Sequence, residues 1–112
     1  MDEREGCALL KERFTAAGLS IEEAYAFREG GVAVSIDGFD PARRVGYEYI
    51  TTEAGDRAEL TADVVAELED RMTRGELFLL LIDEREVDGG ATLGRAADHF
   101  LGVLRARGLL GP

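Results

Sequence analysis

Residues 32–50 read Val32-Ala33-Val34-Ser35-Ile36-Asp37-Gly38-Phe39-Asp40-Pro41-Ala42-Arg43-Arg44-Val45-Gly46-Tyr47-Glu48-Tyr49-Ile50. Two alternating apolar runs, Val32/Val34/Ile36 and Val45/Tyr47/Tyr49, flank a stretch with Gly38 and Pro41 at turn-forming places. A period of two sends successive side chains to opposite faces, so each run predicts a half-buried strand and the stretch between them an antiparallel hairpin. If the apolar faces coincide, Val34 lies opposite Tyr47 and Ile36 opposite Val45. Asp37 then faces Arg44 as a cross-strand ion pair, and Glu48 faces solvent.

Outward from the hairpin, Ile21, Tyr25 and Phe27 share one parity, interrupted at Glu23, and predict a further strand that stops at Gly30-Gly31. Before it, Cys7, Leu10, Phe14 and Ala17 recur at helical spacing, and Gly18-Leu19 has the form of a left-handed cap with its hydrophobic contact. A helix from about residue 2 to residue 17 follows. After the hairpin, residues 52–59 read as a loop. Thr61 caps a second helix with Asp63 in its first turn, Leu60 placed to staple against Val65, and a Val64/Leu68/Met72 stripe. Arg71, Arg74 and Gly75 close it. The unbroken apolar run Leu77–Ile82 predicts a strand covered on both faces. Another loop, residues 83–90, leads to a last helix carrying Leu93, Ala97, Phe100, Leu101 and Leu104 and ending near Gly108. The tail Leu109-Leu110-Gly111-Pro112 frays or packs locally. The expectation is one α+β domain over residues 1–112, of order α-β-β-β-α-β-α: an antiparallel meander and a buried fourth strand, with helices packed on the sheet.

Charge and composition narrow the function. The 112 residues hold 13 Lys and Arg against 23 Asp and Glu, a formal charge of -10, which repels nucleic-acid phosphate and anionic membrane surfaces and attracts basic partners. The longest apolar run is far short of the ~20 residues that cross a bilayer, and residues 1–5 have no basic region leading into a hydrophobic stretch. A lone cysteine, Cys7, makes no intrachain disulfide, so a reducing cytoplasm is the expected compartment and a small buried thiol its expected role.

Motifs for chemistry are sparse. His99, the only histidine, has Arg95, Ala96, Gly102 and Val103 as its helical neighbours, none of them a carboxylate or a nucleophile, and reads as a surface residue. The Gly89-Gly90 pair precedes a helix, but Asp83, Glu84, Glu86 and Asp88 crowd that loop and repel an anion. The same carboxylates miss calcium-loop spacing, since the glycine is seventh rather than sixth. No metal or cofactor site is expected there. The loop does follow a buried strand, a common position for binding residues.

The order helix, three-strand meander, helix, strand resembles the core of the restriction-endonuclease-like metal-dependent nucleases, in which an Asp on the second strand and a Glu-x-Lys on the third hold a divalent ion. Asp37 and Glu48-Tyr49-Ile50 fall at those places, with Ile50 where the pattern has lysine. The resemblance implies a divalent-metal-dependent enzyme working through carboxylates. The hairpin register above opposes it: Glu48 falls opposite Ala33, four residues from Asp37, roughly 13 Å along the strands and too far to share a cation.

The expected function is therefore a non-catalytic, acidic protein-binding module of the adaptor, chaperone-like or immunity type, with a basic protein partner and no nucleic acid, membrane or cofactor. Its partner-binding candidates are Phe39 as an exposed anchor at a loop tip, Asp40, Arg43 and Arg44 beside it, and the acidic loop residues Asp83, Glu84, Glu86 and Asp88. The alternatives are a self-associating scaffold, joined through the small residues of the last helix or an uncovered strand edge, and the degenerate nuclease-like enzyme.

Overall fold

Two strands that run parallel need a long crossover between them, and residues 51–77 supply it. The computed structural model describes residues 2–52 and 56–110. Strands β1 (Glu22–Glu29), β2 (Val32–Asp40), β3 (Val45–Ile50) and β4 (Phe78–Asp83) form one mixed sheet in the order β1-β2-β3-β4. β2 is antiparallel to both neighbours, whereas β4 runs parallel to β3. The helices are α1 (Glu3–Ala16), a single turn α2 (Asp56–Glu59), α3 (Ala62–Thr73) and α4 (Gly90–Ala106), with a 3-10 turn at Glu84–Glu86. This is the α+β fold of order α-β-β-β-α-β-α. No helix among the described residues is long and apolar enough to cross a membrane.

Local chemistry sets the helix ends. The Asp2 carboxylate accepts the Glu5 N–H at the start of α1, and the Thr61 hydroxyl accepts the Val64 N–H at the start of α3. At the other end of α1, Gly18 takes φ +98° and the Leu19 N–H donates to the Phe14 carbonyl, closing the helix as its Gly-Leu ending predicts.

The sheet separates two cores. On one side α1 and α4 bury Leu10, Phe14, Leu93, Ala97, Leu101 and Leu104 against Val45, Tyr47, Tyr49 and Ile82. On the other, Leu68 of α3, with Val64 and Met72, packs on Phe27, Val32, Val34, Ile36, Phe39, Leu77 and Leu79. The loop expected over residues 52–59 is in part outside the described residues, at 53–55; 56–59 form α2 instead. In the tail, Leu110 is buried, and residues 111 and 112 lie outside the described ones.

The hairpin register departs from expectation. Gly38 faces Tyr47, Phe39 faces Gly46 and Asp40 faces Val45, four residues from the alignment that places Val34 opposite Tyr47. The apolar faces do not coincide, because each side of the sheet has its own core. Val32, Val34 and Ile36 pack toward α3, while Val45, Tyr47 and Tyr49 pack toward α1 and α4. The turn is correspondingly tight. β2 runs on through Asp40, and Arg44 closes the reversal at φ +58° with its N–H on the Asp40 carbonyl. Arg44 does not meet Asp37; its guanidinium grips Glu29 of β1 with two hydrogen bonds of 2.9 and 2.8 Å.

Candidate functional site

The sheet is irregular along one row. Ladder pairing of β2 with β3 ends at Gly38–Tyr47, and pairing of β1 with β2 skips Ala24, whose φ is +49°. Ile36 and Phe39 enter the same core although they are an odd number of residues apart, so side-chain alternation slips between them. Asp37 and Glu48, next in line on the two strands, bridge the gap. The Asp37 N–H donates to Glu48 Oε1 (3.0 Å), and the Tyr49 N–H donates to Asp37 Oδ2 (2.8 Å). Glu48, expected to face solvent, is 1% exposed. The separation that opposed a shared Asp37–Glu48 site is thus corrected by the observed register, and both carboxylates are engaged with backbone amides.

Asp37 also reaches α1. Glu3 and Cys7 lie one helical turn apart, and their ligand atoms and one from Asp37 all fall within 4.8 Å of one another. Gly6 permits this approach, since a Cβ there would sit 2.6 Å from the Tyr49 ring. Burial pushes the Cys7 thiol well above its ordinary range, and the charges of Asp37 and Glu3 and a hydrogen bond to Asp37 push it further. It is a protonated thiol, not a nucleophile. These three residues could hold a divalent cation only if the cation displaced that proton.

Next to this cluster, at the carboxyl ends of β3 and β4, a groove of about 370 Å³ is lined by Tyr49, Glu84, Arg85, Val87, Asp88 and Gly89. Burial raises the Tyr49 hydroxyl, with the charges of Glu84, Asp2 and Asp83 adding to it. The amino end of α1, the β2–β3 bridge and the loop after β4 therefore make one acidic end of the molecule, at the edge where ligands bind in many α/β sheets.

The eight partner-binding candidates divide between two ends. Phe39 is not an exposed anchor: it is fully buried against Tyr25 and Phe27, because β2 extends past it. Asp40 is 1% exposed and staples the turn, accepting N–H groups of Ser20, Ala42 and Arg43 and the Arg43 guanidinium. Arg44 is held by Glu29 and by the Glu76 carbonyl. In the acidic loop, Asp83 accepts the Arg85 N–H and guanidinium, Glu84 accepts the Thr52 N–H, and Asp88 accepts the Thr92 hydroxyl. Glu86 is exposed. Asp40 faces Val45, four residues or roughly 13 Å from Tyr49 along β3 at ~3.3 Å per residue, and Arg44 lies one residue further, so the two groups are not one site.

The nuclease resemblance pairs Asp37 with Glu48 and the expected register separates them; sequence reasoning did not join Glu3 and Cys7 to them, and the signal for that pair was its i, i+4 spacing. His99 is exposed on α4; of the small residues of that helix, Gly94 and Ala97 are buried toward α1 and the core, whereas Gly102 is exposed. Compared with protein-family models, curated proteins and solved structures, the chain matches none.

Proposed function

We propose that this chain is a non-catalytic binding module whose acidic end receives a basic surface of a protein partner in a reducing cytoplasm. The observation that supports this is the convergence of Asp2, Glu3, Asp83, Glu84 and Asp88 around the Tyr49 groove. Many basic side chains are neutralised internally: Lys11, Arg13, Arg43, Arg44, Arg71, Arg74 and Arg85 each sit in an ion pair. The surplus of ten negative charges then steers a cationic partner and rejects anionic ones through the field of the whole chain. The test is capture from the host lysate at low and high salt, with wild-type chain and a Glu86→Lys/Asp88→Lys variant. One stoichiometric basic protein, released by salt and lost with the variant, is the expected result. Undiminished capture by the variant removes the acidic end from the account.

A second reading, a divalent-cation site used by a carboxylate enzyme, is favoured by the closeness of Glu3, Cys7 and Asp37 and by the in-line placement of Asp37 and Glu48. Ile50, where the nuclease pattern has lysine, speaks against phosphodiester chemistry. Calorimetric titration with Mn²⁺ and Zn²⁺ decides it: saturable heat abolished by Asp37→Asn supports the site, and absence of heat from both ions ends it.

A further inference from the structure

The two outer strands of the sheet are finished differently. β1 carries Glu22, Glu23, Arg28 and Glu29 at exposed positions and is bent at Ala24, features that discourage another strand from adding to it. β4 has neither. It reads Phe78-Leu79-Leu80-Leu81-Ile82-Asp83, apolar until its last residue, yet it occupies the end of the sheet. Phe78, Leu80 and Leu81 are only half-buried there.

The amides of that edge alternate in direction. The Phe78 N–H donates to the Arg44 carbonyl, which sets the phase of the parallel ladder. Phe78, Leu80 and Ile82 turn their amides to β3, and Leu79, Leu81 and Asp83 turn theirs outward. Among the described residues no strand pairs with this outer side. The Leu79 N–H finds only the Met72 sulfur, at 3.3 Å, a weak acceptor.

A second feature lies beside this edge. Val103, 42% exposed, is the large hydrophobic side chain most open to solvent among the described residues. It is one helical turn from Arg107, whose guanidinium lies 5.3 Å from the Phe78 ring centroid. Residues four apart share a helix face, so Val103 stands on the flank of α4 that overlooks β4.

We propose that the open edge of β4 is the seat of a second copy of this chain, paired antiparallel about a two-fold axis through Leu81 to give one eight-stranded sheet. Self-complementarity carries the choice of occupant. In that register Leu81 meets its own copy, Leu80 meets Ile82 and Leu79 meets Asp83, so outward amides face outward carbonyls and the apolar strips coincide. The acidic end of each strand, at Asp83 and Glu84, comes beside the other copy's Phe78, over which Arg107 lies. Opposite local charges meet although the two chains repel overall. Association of like-charged copies strengthens with salt, the reverse of the salt response of a basic partner.

Sedimentation of the full chain over a wide range of concentration, at low and high salt, is the test. The expected species at high concentration has twice the 12.2 kDa chain mass and is favoured by added salt. Leu81→Lys and the surface variant Val103→Asp are each expected to raise the dimer dissociation constant about tenfold or more. The register is read separately. In a Cys7→Ser chain, Leu81→Cys is expected to give a disulfide-linked dimer on mild oxidation, since facing residues of a hydrogen-bonded antiparallel pair have Cα atoms ~5.5 Å apart. A chain that stays monomeric and does not cross-link overturns the proposal, as does a dimer that neither Leu81→Lys nor Val103→Asp weakens.

Discussion

Asp40 offers the sharpest test of how this fold is held, because a buried carboxylate in a hairpin turn could serve either a partner or the chain itself. Its oxygens accept the Ser20 N–H at 2.9 Å, the Ala42 and Arg43 N–H groups at 3.0 Å each, and the Arg43 guanidinium at 3.1 Å. One side chain thus ties the segment before β1 to the β2–β3 turn. Asp40→Ala removes all four bonds. The three amides it strands lie near the surface and regain water, so each counts about 1 kcal/mol rather than a full desolvation cost, and the exposed Arg43 end adds less than about 1 kcal/mol. The expected loss is about 3 kcal/mol. With a urea m-value of about 1.5 kcal/mol/M for a chain of this size, the unfolding midpoint drops by about 2 M at unchanged m. Capture of a basic partner by the folded fraction stays at the wild-type level. A midpoint shift under about 0.5 M, or lost capture at full stability, would refute the assignment of Asp40 to the fold.

The same residue has a pH signature. Burial alone would raise the Asp40 carboxyl, but the hydrogen bonds from Ser20, Arg43 and Ala42 outweigh it and hold it below its ordinary 3.8. Its contribution is therefore complete above the unfolded value near 3.8 and disappears as pH falls through the lower folded value. The stability gap between wild type and Asp40→Asn is expected to narrow below that pH in urea titrations, and a gap independent of pH would contradict the cause given. Gly38→Ala drives a Cβ into the Tyr47 ring inside the core, an overpacking cost of about 2–3 kcal/mol that thermal unfolding registers as a fall of about 10 °C. An unchanged melting point would mean that the Tyr47 ring yields freely. For Cys7, burial and the neighbouring Asp37 and Glu3 keep the thiol protonated, so native protein reacts with Ellman's reagent far more slowly than denatured protein at neutral pH. Fast native labelling would rule out that environment.

Periodicity and end signals were enough to predict the element order, because they are local. Thr61 as a cap, Gly18-Leu19 as a stop and the unbroken Leu77–Ile82 run each act over a few residues, and each element stands where those residues place it. The charge of -10 and the lone cysteine are likewise legible without coordinates, whereas the burial and the neighbours Asp37 and Glu3 that keep its thiol protonated are not. Register was not. Matching Val34 to Tyr47 presumes one shared apolar face, whereas helices on both sides of the sheet reward apolar residues on either face, and a carboxylate-stapled turn at Asp40 sets the alignment. From that alignment follow the burial of Phe39 and Glu48 and the meeting of Asp37 with α1. It was the tertiary structure, too, that placed a strand apolar on both faces at the edge of the sheet. Strand order is decided by which faces the crossover helix and the terminal helices jointly cover, a long-range balance that no window of neighbouring residues contains.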